Sequence, residues 1–142
     1  MKTKVVALDV YGTFLSSEDA ENAMPVRGDF EAFIKRCQKE QIKIVTASDS
    51  DLTMLKLDLE IPLKRAGLDL DIFDELYQLD YYPKDFSDII QYYNICPEQL
   101  FVIGNSFEKD IRGALELGCS VFKVPEYSNV RDNFDFNSIV IP

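Results

Sequence analysis

Histidine and tryptophan are absent from this sequence, and cysteine occurs only three times. Without histidine there can be no Ser-His or Cys-His nucleophile pair and no imidazole metal ligand. Cys37, Cys96 and Cys119 are far apart and form no C-x-x-C pair, which argues against a zinc site. Each sits among apolar neighbours, the setting of a buried, reduced thiol. Basic residues are also scarce: 15 Lys and Arg stand against 25 Asp and Glu, a formal net charge of -10. That balance argues against nucleic acid and against an anionic membrane surface as partners. It also means that an anionic substrate needs a local positive site, such as a metal ion, a lysine or a helix N-terminus. Long apolar runs are missing too. The first, Val5 to Leu8, is too short for a signal peptide or a membrane span and is followed at once by Asp9. The expectation is a soluble, cytoplasmic protein.

What remains is ordinary globular material. Hydrophobic residues make up 46% and charged residues 28% of 142 positions, enough for one domain with a real core. No internal repeat, low-complexity segment or linker divides the chain, so residues 1–142 read as a single domain.

Short β-branched or apolar runs at 4–9, 42–46, 75–79, 100–103 and 120–124 predict five strands. Between them, Phe30, Phe33, Ile34 and Cys37 fall on one helix face, as do Phe86, Ile89, Ile90 and Tyr93. Ile111, Ala114 and Leu115 form a third face, ended by Gly118. Residues 50–68 read two ways. Leu55, Leu57 and Leu59 alternate like a strand, whereas Leu52, Leu55 and Leu59 fit a helix, and the position between two strands favours a helix interrupted at Pro62. Residues 11–27 read as a loop, and Ile139 to Ile141 predict a short edge strand. Strands alternating with helices predict an α/β fold: a three-layer α/β/α, Rossmann-like domain around a five-stranded, mostly parallel sheet. Right-handed crossovers then bring the strand C-termini to one edge, where ligands bind in such folds.

That edge collects chemistry. Asp9 ends the first strand and is followed by the turn residues Gly12 and Thr13. Thr46 closes the second strand, Lys84 opens the helix after the third, and Gly104-Asn105-Ser106 with Asp110 follows the fourth. Each has a plain structural explanation. Asp9 can cap its own turn, Thr46 and Ser48 can be helix N-caps, Lys84 can be a solvated surface lysine, and Asp110 can complement a helix dipole. Together they are an inventory for handling a phosphoryl group: a carboxylate nucleophile, a hydroxyl, a cation and an acidic pocket for a divalent metal. In the loop before the first helix, Arg27 and the acidic Glu18, Asp19 and Glu21 read as surface residues overhanging that edge.

The order Asp, Thr, Lys, Asp along a five-strand α/β chain resembles the haloacid dehalogenase superfamily. The likeness covers nearly the whole chain and is most specific at Asp9-Val10-Tyr11-Gly12-Thr13 and at Gly104-Asn105-Ser106 with Asp110. It implies that Asp9 attacks phosphorus and forms an aspartyl-phosphate. It implies Mg²⁺ held by Asp9, the backbone carbonyl of Tyr11, Asn105 and Asp110, with Thr46, Ala47 and Lys84 around the transferring oxygens. It further implies a capless member, whose open site suits a phosphorylated small molecule or a larger phosphorylated partner.

Two positions depart from the family's pattern. Its phosphatases carry a second Asp two residues after the nucleophile, which protonates the leaving group and then activates water; here that position is Tyr11. A phenol with an ordinary pKa of ~10 is a poor acid and base at neutral pH, and the missing help is worth ~10²–10⁴-fold. Asn105 stands where the first acid of the metal loop usually lies, which predicts weakened Mg²⁺ binding. Tyr11 is similar to the superfamily's carbon-halogen hydrolases, but the spacing from Asn105 to Asp110 is that of the phosphatases, and neither 14–27 nor 48–83 leaves room for a helical cap. A phosphoaccepting receiver domain fits less well, since Asp9 lacks an acidic neighbour. A degenerate relative that binds without turnover remains a third reading.

Overall fold

A computed structural model describes residues 1–18, 24–128 and 131–142. Asp19 and Glu21 therefore lie outside the described residues. Five strands, β1 (Val5–Leu8), β2 (Lys43–Ser48), β3 (Glu75–Gln78), β4 (Leu100–Gly104) and β5 (Ser120–Lys123), form one sheet in the order β3-β2-β1-β4-β5. All four pairings are parallel, and β1 lies at the centre. Every residue of β1 and β4 is buried, which is why both read as unbroken apolar runs rather than as alternation.

Helices cover both faces. On one, α1 (Phe30–Lys39) and α2 (Leu52–Arg65) lay Phe33, Ile34, Leu55 and Leu59 against Val6, Leu8, Ile44 and Ile103. On the other, α3 (Ser87–Tyr93) and α4 (Arg112–Leu117) set Ile89 and Ala114 against Val5, Ala7, Val45 and Val102. This is the three-layer arrangement that the alternation of elements predicts.

Three sequence expectations are corrected. The helix after β2 is not interrupted at Pro62 but runs on to Arg65. Pro62 cannot donate to the carbonyl of residue 58, yet it lies on the buried stripe with Leu55, Leu59 and Leu63, and that packing holds the last turn. Ile139 to Ile141 is not an edge strand. Phe136 packs edge-on against Phe30 and Phe33, and Arg36 takes the Asn137 and Ile139 carbonyl oxygens that a strand would offer to a neighbour. Lys84 does not open a helix. It lies in the connection from β3, three residues before α3 begins at Ser87.

Candidate active site

The central strand delivers Asp9 to the C-terminal edge of the sheet. Its amide still donates to Ile103 (2.9 Å), and then the chain turns back. The amides of Thr13, Phe14 and Leu15 all converge on the Val10 carbonyl, and Gly12 adopts a left-handed φ of 82°. The fold-back puts the Thr13 hydroxyl 3.0 Å from Asp9 Oδ2 and 3.3 Å from Asn105 Oδ1, where it can donate to either.

Lys84 is buried, and its ammonium donates to Asp9 Oδ1 (2.9 Å), Asp110 Oδ1 (2.6 Å) and the Ala47 carbonyl oxygen (2.6 Å). All three protons of the ammonium are used, so the group is fixed in direction. The second Asp110 oxygen accepts from the Ser106 amide (3.1 Å), while Ser106 Oγ accepts from the Lys109 amide (3.1 Å) and starts the wide helical turn Phe107–Ile111 that leads into α4. Gly104 makes room for this: a Cβ there would fall 2.5 Å from the Asp110 side chain.

Two carboxylates thus share one ammonium in a buried cluster. Burial is the largest influence on Asp9, and with the nearby Asp110 charge it outweighs Lys84 and raises the Asp9 pKa to about 6. Burial alone would depress the Lys84 pKa, but Asp9 and Asp110 outweigh it and hold that pKa above the ordinary lysine value. The cluster is one positive charge short of neutrality. Its donors are all oxygen, which fits a hard divalent cation. Among the described residues no three His, Cys, Asp or Glu side chains converge as a ready-made metal cluster, so Asn105 and backbone oxygen would have to complete a ligand set around Asp9 and Asp110.

A cleft of about 360 Å³ opens above the cluster, lined by Asp9, Tyr11, Lys84, Asn105, Ser106 and Asp110, with Ser17, Asp49, Lys109 and Glu126 also on its walls. Tyr11 lines it but is committed elsewhere. Its hydroxyl donates to Asp58 Oδ2 of α2 at 2.5 Å, and burial followed by that carboxylate pushes its pKa well above the usual phenol range.

The structure therefore brings Asp9, Tyr11, Ala47, Lys84, Asn105 and Asp110 together, but not the Thr46 side chain. In the parallel register Thr46 stands beside Leu8, one row below Asp9, and it shares the core face with Ile44. It is fully buried, and its Oγ1 has no hydrogen-bond partner. Ser48, two residues on, is the hydroxyl at the end of the strand, where its Oγ accepts from the Ser50 amide (3.1 Å). Thr46 and Ser48 are equivalent by alternation, and only the register with β1 separates them. The sequence reading also missed the contact of Thr13 with Asp9, made across the local turn, and that of Asp58 with Tyr11, which arises from tertiary folding. It misjudged Arg27 as well. Far from being a surface residue, Arg27 is 1% exposed, forks onto Asp132 through Nε (3.1 Å) and Nη2 (2.7 Å), and donates from Nη1 to the Thr13 carbonyl (3.0 Å).

The chain is a parallel α/β domain with a carboxylate–ammonium cluster at the C-terminal edge of its sheet, and solved structures share its fold. The chain is similar to an uncharacterized protein of Listeria monocytogenes serotype 4b, with a TM-score of 0.66 at 17% identity over 98% of this chain and 86% of that one. It is similar to a predicted HAD-like family hydrolase of Porphyromonas gingivalis, with a TM-score of 0.66 at 12% identity over 92% and 94%. It also matches the N-terminal part of a Bacteroides fragilis protein containing a phosphatase domain, in complex with Mg, with a TM-score of 0.65 at 19% identity over 87% of this chain and 36% of that one. No family model and no curated protein matches the sequence. The fold is that of the haloacid dehalogenase-like hydrolases. No helix among the described residues is long and apolar enough to cross a membrane.

Proposed function

We propose that this chain is a phosphohydrolase that accepts the phosphoryl group of a phosphomonoester on Asp9. The observation that carries the reading is the buried Lys84 ammonium, bonded at once to Asp9, Asp110 and the Ala47 carbonyl at the end of the central strand. One Asp9 oxygen attacks phosphorus while the bond to the leaving oxygen breaks, and that oxygen departs with the electron pair. Thr13 holds the other Asp9 oxygen and so fixes the attacking lone pair in direction. Lys84 and the Ser48 hydroxyl, in place of Thr46, draw the equatorial oxygens of the phosphoryl group. Water then attacks the aspartyl-phosphate at phosphorus, releasing inorganic phosphate and restoring the carboxylate. Asp9, Asn105, Asp110 and the Tyr11 backbone carbonyl are the residues that would hold Mg²⁺. When bound, the ion supplies the positive charge that lets an anionic nucleophile approach an anionic phosphate.

Tyr11 supplies no acid, because its proton is committed to Asp58. The leaving oxygen takes its proton from solvent, so aryl and acyl phosphates, whose leaving groups are stable as anions, turn over faster than alkyl phosphates. We read the chain as a domain without a separate cap, so the substrate or a phosphorylated partner itself closes the cleft. Three free thiols suit a reducing compartment such as the cytoplasm.

The test is phosphate release from a panel of aryl, acyl and alkyl phosphates with Mg²⁺, comparing the wild type with Asp9→Asn. Release abolished by the substitution supports the reading, and release that survives it overturns Asp9 as nucleophile. The Tyr11–Asp58 bond favours one second reading, a protein that binds a phosphorylated partner without turnover. Retained binding with no release from any substrate would mark it. Chloride release from a 2-haloacid without metal would instead mark carbon-halogen hydrolysis.

A further inference from the structure

Among the described residues two cations line the cleft, and they sit differently. Lys84 lies at the floor, where Asp9, Asp110 and the Ala47 carbonyl take its three protons. Lys109 lies on the wall and is 55% exposed. Its backbone is pinned on both sides: the amide donates to Ser106 Oγ (3.1 Å), and the carbonyl accepts from the Lys84 amide (2.9 Å). The root of the side chain is therefore fixed relative to the floor, while the ammonium keeps its hydrogen-bonding capacity open. The group it faces is the Asp49 carboxylate, with Oδ2 at 4.0 Å, too far for a hydrogen bond.

The place of this pair in the fold decides what it can read. β2 and β4 are the two neighbours of β1. Asp49 follows β2 directly and Lys109 lies in the turn after β4, so the pair spans the end of β1, from which Asp9 projects. In an in-line displacement the leaving oxygen departs on the side of phosphorus opposite the attacking carboxylate. A phosphoryl group resting on Asp9 therefore sends its leaving group outward, past Lys109 and Asp49. Asp49 is also 55% exposed, and an exposed pair at this distance is worth little, so an incoming anion displaces Asp49 at small cost. What Lys109 already faces is a carboxylate, and Glu126 adds another negative charge to the same walls. A singly charged carboxylate suits that setting better than a second phosphate, which brings more negative charge against both acids. We propose that Lys109 is a specificity residue of the cleft, taking a carboxylate carried by the leaving group in the place that the Asp49 carboxylate now holds. The proposal rests on Asp9 being the phosphoryl acceptor and adds the class of substrate, a phosphomonoester of a hydroxy acid.

The experiment is calorimetric titration of the full chain, with Mg²⁺, by phosphonates, whose carbon–phosphorus bond survives the proposed chemistry. The probes are benzylphosphonate, its 3- and 4-carboxy derivatives, and the bisphosphonate in which a second phosphonate replaces the carboxylate. The better carboxy isomer is expected to bind about five-fold tighter than benzylphosphonate. Lys109→Gln is expected to bring that ratio close to one. Asp49→Asn removes the competing carboxylate and is expected to raise it. Opposite signs from two half-exposed neighbours distinguish a subsite from a general loss of structure, and circular dichroism of both variants checks the fold. A wild-type ratio of one overturns the proposal. So does a ratio that survives Lys109→Gln, or a preference for the bisphosphonate over both carboxy isomers. Failure of the phosphohydrolase reading looks different: no phosphonate binds at all, with or without a carboxylate, and the subsite falls with it.

Discussion

Gly113 of α4 lies so close to Lys84 that a Cβ built on it would fall 2.2 Å from the Lys84 carbonyl oxygen. The Lys84 amide is held from the same side, donating to the Lys109 carbonyl at 2.9 Å. The connection carrying the ammonium is therefore clamped against the turn carrying Asp110, and the three-way bond among Lys84, Asp9 and Asp110 depends on a position with no side chain. Gly113→Ala must push the Lys84 backbone away. The expected cost is about 1–3 kcal/mol of stability, as for other overpacked sites. Phosphate release is expected to fall further than stability alone explains, measured by urea unfolding and by turnover on the same preparation.

Asp9 lowers stability in the form that the proposed chemistry uses. Its folded-state pKa of about 6 lies above the ordinary aspartate value of 3.8, so folding favours the protonated group. Relative stability from this residue is fully present below pH 3.8 and is lost as pH rises through about 6. Asp9→Asn keeps a neutral side chain at every pH. It is expected to raise stability by about 1–3 kcal/mol above pH 7 and by much less near pH 4. Thermal unfolding of both proteins across that range checks the sign, and a larger gain at low pH would contradict it.

Asn105 leaves the cluster one carboxylate poorer than a third acid would make it. Asn105→Asp is expected to tighten Mg²⁺ binding about ten-fold, because affinity for hard cations follows the count of ligand charges. Calorimetric titration of both forms measures this without any substrate. Loss of the Thr13 contact to Asn105 Oδ1 is not expected, since a carboxylate oxygen also accepts.

In the proposed reaction, Tyr11 is the position where proton transfer is missing. Tyr11→Asp alone would set a new carboxylate toward Asp58, whose partner it removes. Combined with Asp58→Asn, the substitution is expected to raise turnover of alkyl phosphates about 10²-fold or more and that of aryl phosphates much less. Parallel initial-rate measurements on the two substrate types test the difference. Equal gains would mean that leaving-group protonation does not limit the wild type.

Arg27 anchors the loop after β1 to the C-terminal tail. Its guanidinium binds Asp132 and the Thr13 carbonyl and lies 4.7 Å from the Phe134 ring centroid and 5.4 Å from that of Tyr127. Arg27→Met leaves the Asp132 carboxylate without its partner and is expected to cost about 3–5 kcal/mol. Adding Asp132→Asn should recover part of that loss, which a double-mutant cycle in denaturant measures.

The sequence alone determined the elements and most of the cluster. Apolar runs of strand length, helical spacings such as Phe30-Phe33-Ile34-Cys37, and Gly118 as a stop are local signals, and a parallel sheet follows from their alternation. Because such a sheet gathers its strand ends at one edge, the order of elements alone groups Asp9, Lys84, Asn105 and Asp110. Tertiary structure decided what depends on register and on distant segments. It showed that Ser48 rather than Thr46 stands level with the strand end, that Arg27 is buried by a tail more than a hundred residues away, and that the Tyr11 hydroxyl donates its hydrogen bond to Asp58. Periodicity fixes which face a side chain takes, but not its height along the strand or which remote group arrives beside it. Those are set only when strands pair and the chain closes on itself.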